Sequence, residues 1–244
     1  MRKHILFFNA VVPLILFISS CKVNTLKGEG EITTSSVSVQ PFSSIQIEVP
    51  LKANITVQPG VEPGVQLSSY ANILKHIKTT VKDNILYITF DLDETWNMGD
   101  DSIAAQITLP AITALTLTGA PDADIHGNIT GASFKLDISG AASVVIDNIN
   151  VELFTSEVSG SADIVVKAGT VKKATYEISG AGDIEAFPLQ TTETEASISG
   201  TGSGEVTALT KLSASISGAG TIKYKGHPSI SQDVSGAGSI TDAN

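Results

Sequence analysis

A glycine motif recurs seven times in the C-terminal half of the chain. It begins as Thr118-Gly119-Ala120-Pro121-Asp122 and returns as Ser139-Gly140-Ala141-Ala142-Ser143 and Ser159-Gly160-Ser161-Ala162-Asp163. It ends as Ser235-Gly236-Ala237-Gly238-Ser239. The first glycines stand at 119, 140, 160, 180, 200, 218 and 236, so the steps are 21, 20, 20, 20, 18 and 18 residues. A unit this short cannot bury an apolar face by itself and must stack on its neighbours. The repeat therefore constrains the fold more than any other feature.

The flanks say what each unit is made of. Ile138, Val158, Ile178, Ile198, Ile216 and Val234 precede the motif, and Phe134/Leu136 and Phe154/Ser156 stand two and four places earlier. A second alternation follows it, as Val144/Ile146, Ile164/Val166 and Ile184/Ala186. A third apolar position returns near Ile149, Leu189 and Leu209. A period of two is that of a strand with one buried face. Helix is excluded, because β-branched residues and glycines dominate and no i, i+3, i+4 spacing is present. Each unit reads as strand, tight glycine corner, strand and a short third side. Repeating such units predicts an all-β fold, a parallel β-solenoid (single-stranded β-helix) of rungs of 18–21 residues. Rungs lie about 4.8 Å apart, which explains small corner residues, and glycine supplies the φ values of a sharp bend. The stacked serine hydroxyls are expected to bond neighbouring backbone groups.

Residues 28–117 are less regular. Ser43 to Val49, Ala53 to Val57, Val65 to Leu67, Ile85 to Phe90 and Ile103 to Leu109 alternate as strands. Asp83-Asn84 signals a turn, and Leu74 to Val81 is the one stretch expected to hold a short helix. The length allows four or five irregular rungs. No Pro/Gly-rich linker stands near 110–118, so residues 28–244 are expected to form one domain, irregular over 28–117 and regular over 118–244.

The first twenty residues read as an address. Arg2 and Lys3 precede an apolar run from Ile5 to Ile18, then Ser19-Ser20-Cys21. That is the pattern of a secretory signal, and the run is too short for a bilayer core of about 30 Å. Ile18-Ser19-Ser20-Cys21 resembles a bacterial lipobox, in which the cysteine is acylated and becomes the new N-terminus. Cys21 is thus the expected lipid anchor, followed by a tether over 21–27. Acyl chains contribute about 0.8 kcal/mol per buried CH₂, so several hold a protein on a membrane. As the chain's single cysteine it also excludes an internal disulfide framework and a zinc finger. Loss of the leader takes the net charge from −10 to −12, since Arg2 and Lys3 are two of the 15 basic residues set against 25 acids, and it leaves no arginine. An acidic balance argues against nucleic-acid binding.

Few residues point to chemistry. Acidic-sugar lyases need bases, carboxylate stabilisers and calcium on one face. Here arginine is missing, and Asp100-Asp101, the only adjacent Asp-Asp pair, reads as a loop. A neutral glycosidase needs only two carboxylates at a set separation, which keeps a polysaccharide-cleaving enzyme as the alternative. Asp137, Glu157 and Glu177 share one outward position in successive units, and Asp163 and Asp183 share another. Either column invites a bridging cation or simple splaying into solvent, with Lys167, Lys172 and Lys173 alongside. Gly200-Thr201-Gly202-Ser203-Gly204 looks like a phosphate loop but lacks a following helix. His76, His126 and His227 have no metal-ligand spacing. No metal or cofactor is expected. Trp96, in an acidic loop, is the one candidate partner-binding residue, because an exposed Trp stacks on sugars or anchors proteins.

The order of motifs carries a family resemblance. Gly28-Glu29-Gly30 is followed by Phe42-Ser43-Ser44-Ile45, Ile55-Thr56-Val57-Gln58-Pro59-Gly60, Val81-Lys82-Asp83-Asn84-Ile85-Leu86-Tyr87-Ile88 and Ile107-Thr108-Leu109-Pro110, then the serial Ser-Gly corners. This resembles the bacterial family called putative auto-transporter adhesin, head GIN domain (DUF2807), in its Bacteroidetes lipoprotein form. The resemblance implies a secreted or lipid-anchored β-helix and supplies no catalytic residues. The expected function is that of a non-catalytic envelope protein, held on the membrane, and on the outer membrane in this form, through lipidated Cys21. It would bind a surface glycan or protein. A self-associating structural protein is the second alternative. The last rung, at Ser239-Ile240-Thr241, is an open end that suits an end-to-end homodimer.

Overall fold

The structure is a computed structural model that describes residues 24–25, 27–91, 96–97 and 103–244. Cys21 and the leader lie outside the described residues. In chain order the elements are β1 (Asn24–Thr25), β2 (Ile32–Val37), β3 (Ser44–Ile47), β4 (Lys52–Val57), β5 (Gly64–Tyr70) and α1 (Ala71–Leu74). There follow β6 (Ile77–Lys82), β7 (Ile85–Phe90), β8 (Trp96–Asn97), β9 (Ala104–Leu109) and β10 (Ala114–Gly119). The regular part holds β11 (Asp122–Val166), β12 (Gly169–Gly180), β13 (Asp183–Gly200), β14 (Ser203–Gly218), β15 (Thr221–Lys225), β16 (Ser229–Gly236) and β17 (Ser239–Asp242). From β10 onward every pairing is parallel, and the pairings of β10 to β17 with one another join successive units. Glu157 faces Glu177, Ile178 faces Ile198, and Gly200 faces Gly218. The chain is a parallel β-solenoid, as the repeat predicts.

The period-two pattern becomes two surfaces. Inward columns such as Phe134, Leu136 and Ile138, or Leu212, Ala214 and Ile216, are buried, and the core is one cluster running from Phe42 to Ile222. Apolar burial is worth about 25 cal/mol per Å², so a narrow core of Ile, Val, Leu and Ala holds the rungs together through their number. Where the repeat shortens from 20 to 18 residues, the pairing of β13 with β14 shifts register between Glu185 and Gln190 and again by Glu193. The shift leaves the Thr207 carbonyl inside. The buried Thr191 hydroxyl donates to it, and the Thr194 hydroxyl lies 3.3 Å from it. A buried carbonyl needs such a partner, since leaving it unpaired costs about 1–3 kcal/mol.

The N-terminal third departs from a simple stack. The β3–β4 rung lies between the later β7/β9 rung and the β10/β11 rung, so stacking order is not chain order. Beyond that rung the strands are antiparallel: β6 on β7, β5 on β9, and β2 on β5. Length allows four or five rungs here, but antiparallel pairing takes up much of it. Asp83 and Asn84, at φ 51° and 65°, make the two-residue turn of the β6–β7 hairpin, the conformation that a right-twisted hairpin requires. The short helix is α1, ahead of the expected Leu74–Val81 stretch. Ile77–Lys82 is strand, because it pairs along β7 through the hairpin.

Candidate functional site

The outward side of the strand before each corner is a flat polar grid. Its columns follow from register. One column reads Thr155, Thr175, Glu195, Ser213, Ser231, the next Glu157, Glu177, Ser197, Ser215, Asp233, and the third Ser159, Ser179, Ser199, Ser217, Ser235. Asp137 and Ser139 precede the last two columns, opposite Thr116 and Thr118. Neighbours within a column are about 4.8 Å apart. A groove of about 290 Å³ runs along this grid, with Asp137, Glu157 and Glu177 on one wall and Ser159, Ser179 and Ser199 on the other.

Charge in this groove is only partly compensated. Lys135 lies 2.9 Å from Glu157 and 3.6 Å from Asp137. Its hydrogen bond to Glu157 holds the ammonium above its ordinary pKa. Among the described residues Glu177 has no ion-pair partner. Two of the lysines expected alongside the acidic columns pair with other acids. Lys167 lies 3.0 Å from Asp147 and Lys173 lies 3.2 Å from Glu195.

The corner column of acids has a structural role. Asp122 accepts the Ser143 amide at 2.8 Å, and Asp183 accepts the Ser203 amide at 3.1 Å and its hydroxyl at 2.6 Å. Each of these two carboxylates ties one rung to the next. The corner serines behave differently from expectation. Among the described residues the hydroxyls of Ser139, Ser159, Ser179, Ser199, Ser217 and Ser235 make no hydrogen bonds. The corner is held by backbone bonds instead, such as Ala181 N–H to the Gly160 carbonyl and Thr201 N–H to Gly180, both at 2.9 Å. The side-chain bond sits two positions earlier, where the Ser215 hydroxyl donates to Ser197 at 3.0 Å. The corner hydroxyls therefore face solvent as an unspent row of donors and acceptors.

The face after the corner is closed by ion pairs. His126 and Lys167 flank Asp147 at 3.1 and 3.0 Å, Lys52 meets Asp124 at 3.0 Å, and Lys223 meets Glu205 at 3.1 Å. The Lys167 hydrogen bond, followed by that of His126, holds the Asp147 carboxyl below its usual range. His126, which has no metal-ligand spacing, thus has an acidic partner one repeat step further along the chain. Lys225 sits over the Phe187 ring at 4.5 Å.

Trp96 lies in β8, whose backbone pairs with β1 through Asn24 and Thr25. Its side chain lies outside the described residues, so its part in binding stays an expectation. The Gly200–Gly204 segment joins two strands across a corner and enters no helix. Among the described residues no three His, Cys, Asp or Glu side chains gather as metal ligands.

Stacked parallel rungs with a polar outer grid define a class, the parallel β-solenoids. The family model described as putative auto-transporter adhesin, head GIN domain matches residues 41–228, and the chain belongs to that family. Solved relatives share the whole fold. A putative adhesin from Bacteroides fragilis NCTC 9343 is 25% identical at a TM-score of 0.76, covering 89% of this chain and 100% of its own. A putative adhesin from Parabacteroides distasonis ATCC 8503 is 22% identical at 0.73, covering 90% and 100%. A protein from the same strain, described as a putative lipid binding protein, is 20% identical at 0.69, covering 91% and 100%. A comparison with curated proteins finds no match.

Proposed function

We propose that this protein is a non-catalytic adhesin of the bacterial cell envelope, anchored by lipidated Cys21, whose outer grid binds a surface glycan. One observation carries the reading. The groove aligns a row of serine hydroxyls, none hydrogen-bonded, opposite three carboxylates, at the spacing of successive rungs. Such a row presents repeated acceptors and donors to a repeating polyol. Its acidic wall favours neutral or amino-bearing sugars over acidic ones, because like charges repel. The mechanism is passive display on a rigid ladder.

Two features support a non-catalytic role. Among the described residues, Asp122 and Asp183, which share a corner column, are engaged in holding one rung to the next, a structural role. The second feature is the family itself, whose description is that of an adhesin. The interior is filled by side chains, so an acyl ligand of the kind suggested by one relative's name would have to lie outside the core.

A panel of neutral, amino-bearing and acidic polysaccharides tests the reading. Saturable binding to a member of the first two groups without turnover is expected. Turnover lost on replacing one carboxylate would make the protein an enzyme. The anchor is tested separately, because Cys21→Ser should move the protein from the membrane to the soluble fraction. A variant that stays on the membrane would refute the anchor.

A further inference from the structure

The two ends of the stack are built differently. At the N-terminal end antiparallel β6 covers β7, and β5 with β2 covers β9. At the other end β16 pairs only with β14, and β17 only with β15, among the described residues. The third side of this last rung is occupied by Asn244. Its amide oxygen accepts the Gly226 N–H at 2.9 Å and its amide nitrogen donates to the Gly226 carbonyl at 2.9 Å.

The open strands continue the core columns. Ile230 lies on Leu212, Val234 on Ile216 and Ile240 on Ile222. The lower members are 0%, 2% and 0% exposed, whereas Ile230 is 43% and Val234 41% exposed. Stacking one more strand is what buries such residues elsewhere in this molecule. Here the aliphatic cross-section of the core lies beside a strand edge that has no partner among the described residues, an arrangement that soluble proteins normally blunt.

The sequence of that edge is chemically palindromic. Ser229-Ile230-Ser231-Gln232-Asp233-Val234-Ser235 reads the same in both directions by residue class. We propose that a second copy of this chain pairs with β16 antiparallel, about a two-fold axis at Gln232. Ile230 then faces Val234 of the second copy, Ser231 faces its Asp233, Ser229 faces its Ser235, and the two Gln232 amides meet on the axis. All inward residues stay inward. The serine hydroxyls donate to the aspartates, so each charge gains a partner. Closed two-fold contacts require such self-complementarity.

Neighbouring registers fail. A shift by one residue sets inward side chains against outward ones. The next allowed register in one direction opposes Asp233 to Asp233, which like charge disfavours. The next in the other opposes Val234 to Pro228, which has no N–H to pair. The end-to-end dimer places the two outer grids on one extended body, and it holds whether or not those grids bind a glycan.

Sedimentation of the full chain carrying Cys21→Ser tests the dimer, with cross-linking as a second readout. A concentration-dependent monomer–dimer equilibrium is expected. Val234→Lys removes two cross-strand apolar pairs, since symmetry counts it twice, and raises the dissociation constant about tenfold. In the same background Gln232→Cys should oxidise to a covalent dimer much faster than Ser231→Cys, because position 232 faces itself and position 231 faces 233. The cysteine comparison does not depend on the lysine variant. A protein monomeric at every concentration, a dimer indifferent to Val234→Lys, or equal cross-linking of the two cysteine variants would each overturn the proposal.

Discussion

The Gly160 carbonyl accepts the Ala181 amide at 2.9 Å and occupies the space where a side chain on Gly180 would begin. A Cβ there would lie under 3.0 Å from that oxygen, and φ is +139° as well. Two penalties coincide, one conformational and one steric. Gly60 carries only the first, with φ +82° and nothing within 4 Å of its Cβ position. Gly60→Ala should therefore cost about 1 kcal/mol, and Gly180→Ala about 2–4 kcal/mol once overpacking is added. Urea unfolding of the two variants checks the difference, and equal losses would mean that the corner relaxes. Asp147 makes a second residue-scale prediction. Its pKa is held below the ordinary 3.8 by Lys167 first and His126 next. A depressed carboxyl stabilises the fold above pH 3.8, and that contribution fades as pH falls through its lowered value. Lys167→Ala should move the titration of Asp147 upward and shift acid unfolding to higher pH. NMR titration of the carboxyl reads this directly.

Elements show what the sequence discloses and what it withholds. The period of two and the serial glycines put β11 through β17 in view, including register, because equivalent positions must stack to bury their alternating face. The step from 20 to 18 residues marks the register shift that the Thr191–Thr194–Thr207 network repairs. The order of the N-terminal rungs was not legible. The β3–β4 rung ends up between two later ones, and a local alternation cannot say which strand it will meet. The stretch Ile77–Lys82 is strand for the same reason, since its partner β7 lies across a two-residue turn and decides the matter. At the site, the Asp137–Glu157–Glu177 column was readable from the repeat. The Lys135–Glu157 pairing was not, since it crosses rungs diagonally; His126 and Asp147, by contrast, stand 21 residues apart, the step of the repeat itself. Aromatics are few, yet three of them are stacked in the core. Phe134 and Phe154 lie parallel at 5.8 Å, and Tyr176 meets Phe154 edge-on at 5.8 Å. Burial pushes the Tyr176 hydroxyl well above its ordinary pKa of 10.0. Phe154→Ala should cost about 3–5 kcal/mol by opening a cavity between two rungs. A loss near that of an exposed substitution would place the aromatic cluster outside the cooperative core.

At the scale of the whole molecule, repetition produces function as well as fold. One rung offers a hydroxyl, in places with a carboxylate beside it, that water satisfies equally well. Seven corners offer hydroxyls in a line with four carboxylates beside them, so a repeating ligand gains many weak contacts at once. The ladder's other face is neutralised by ion pairs of the exposed kind, each worth about 0–1 kcal/mol, and leaves the partly compensated grid as the surface with unmet hydrogen-bonding capacity. Glycan binding by the full chain carrying Cys21→Ser, compared with the same chain bearing Glu157→Lys and Glu177→Lys, tests this most directly. These two outward carboxylates line the groove and touch nothing in the core. A neutral or amino-bearing polysaccharide bound by the parent should lose affinity about tenfold or more in the double variant, while Asp124→Lys on the face after the corner leaves it unchanged. Equal binding by the parent and the double variant, or loss on changing Asp124 alone, would contradict the assignment of the grid as the binding surface.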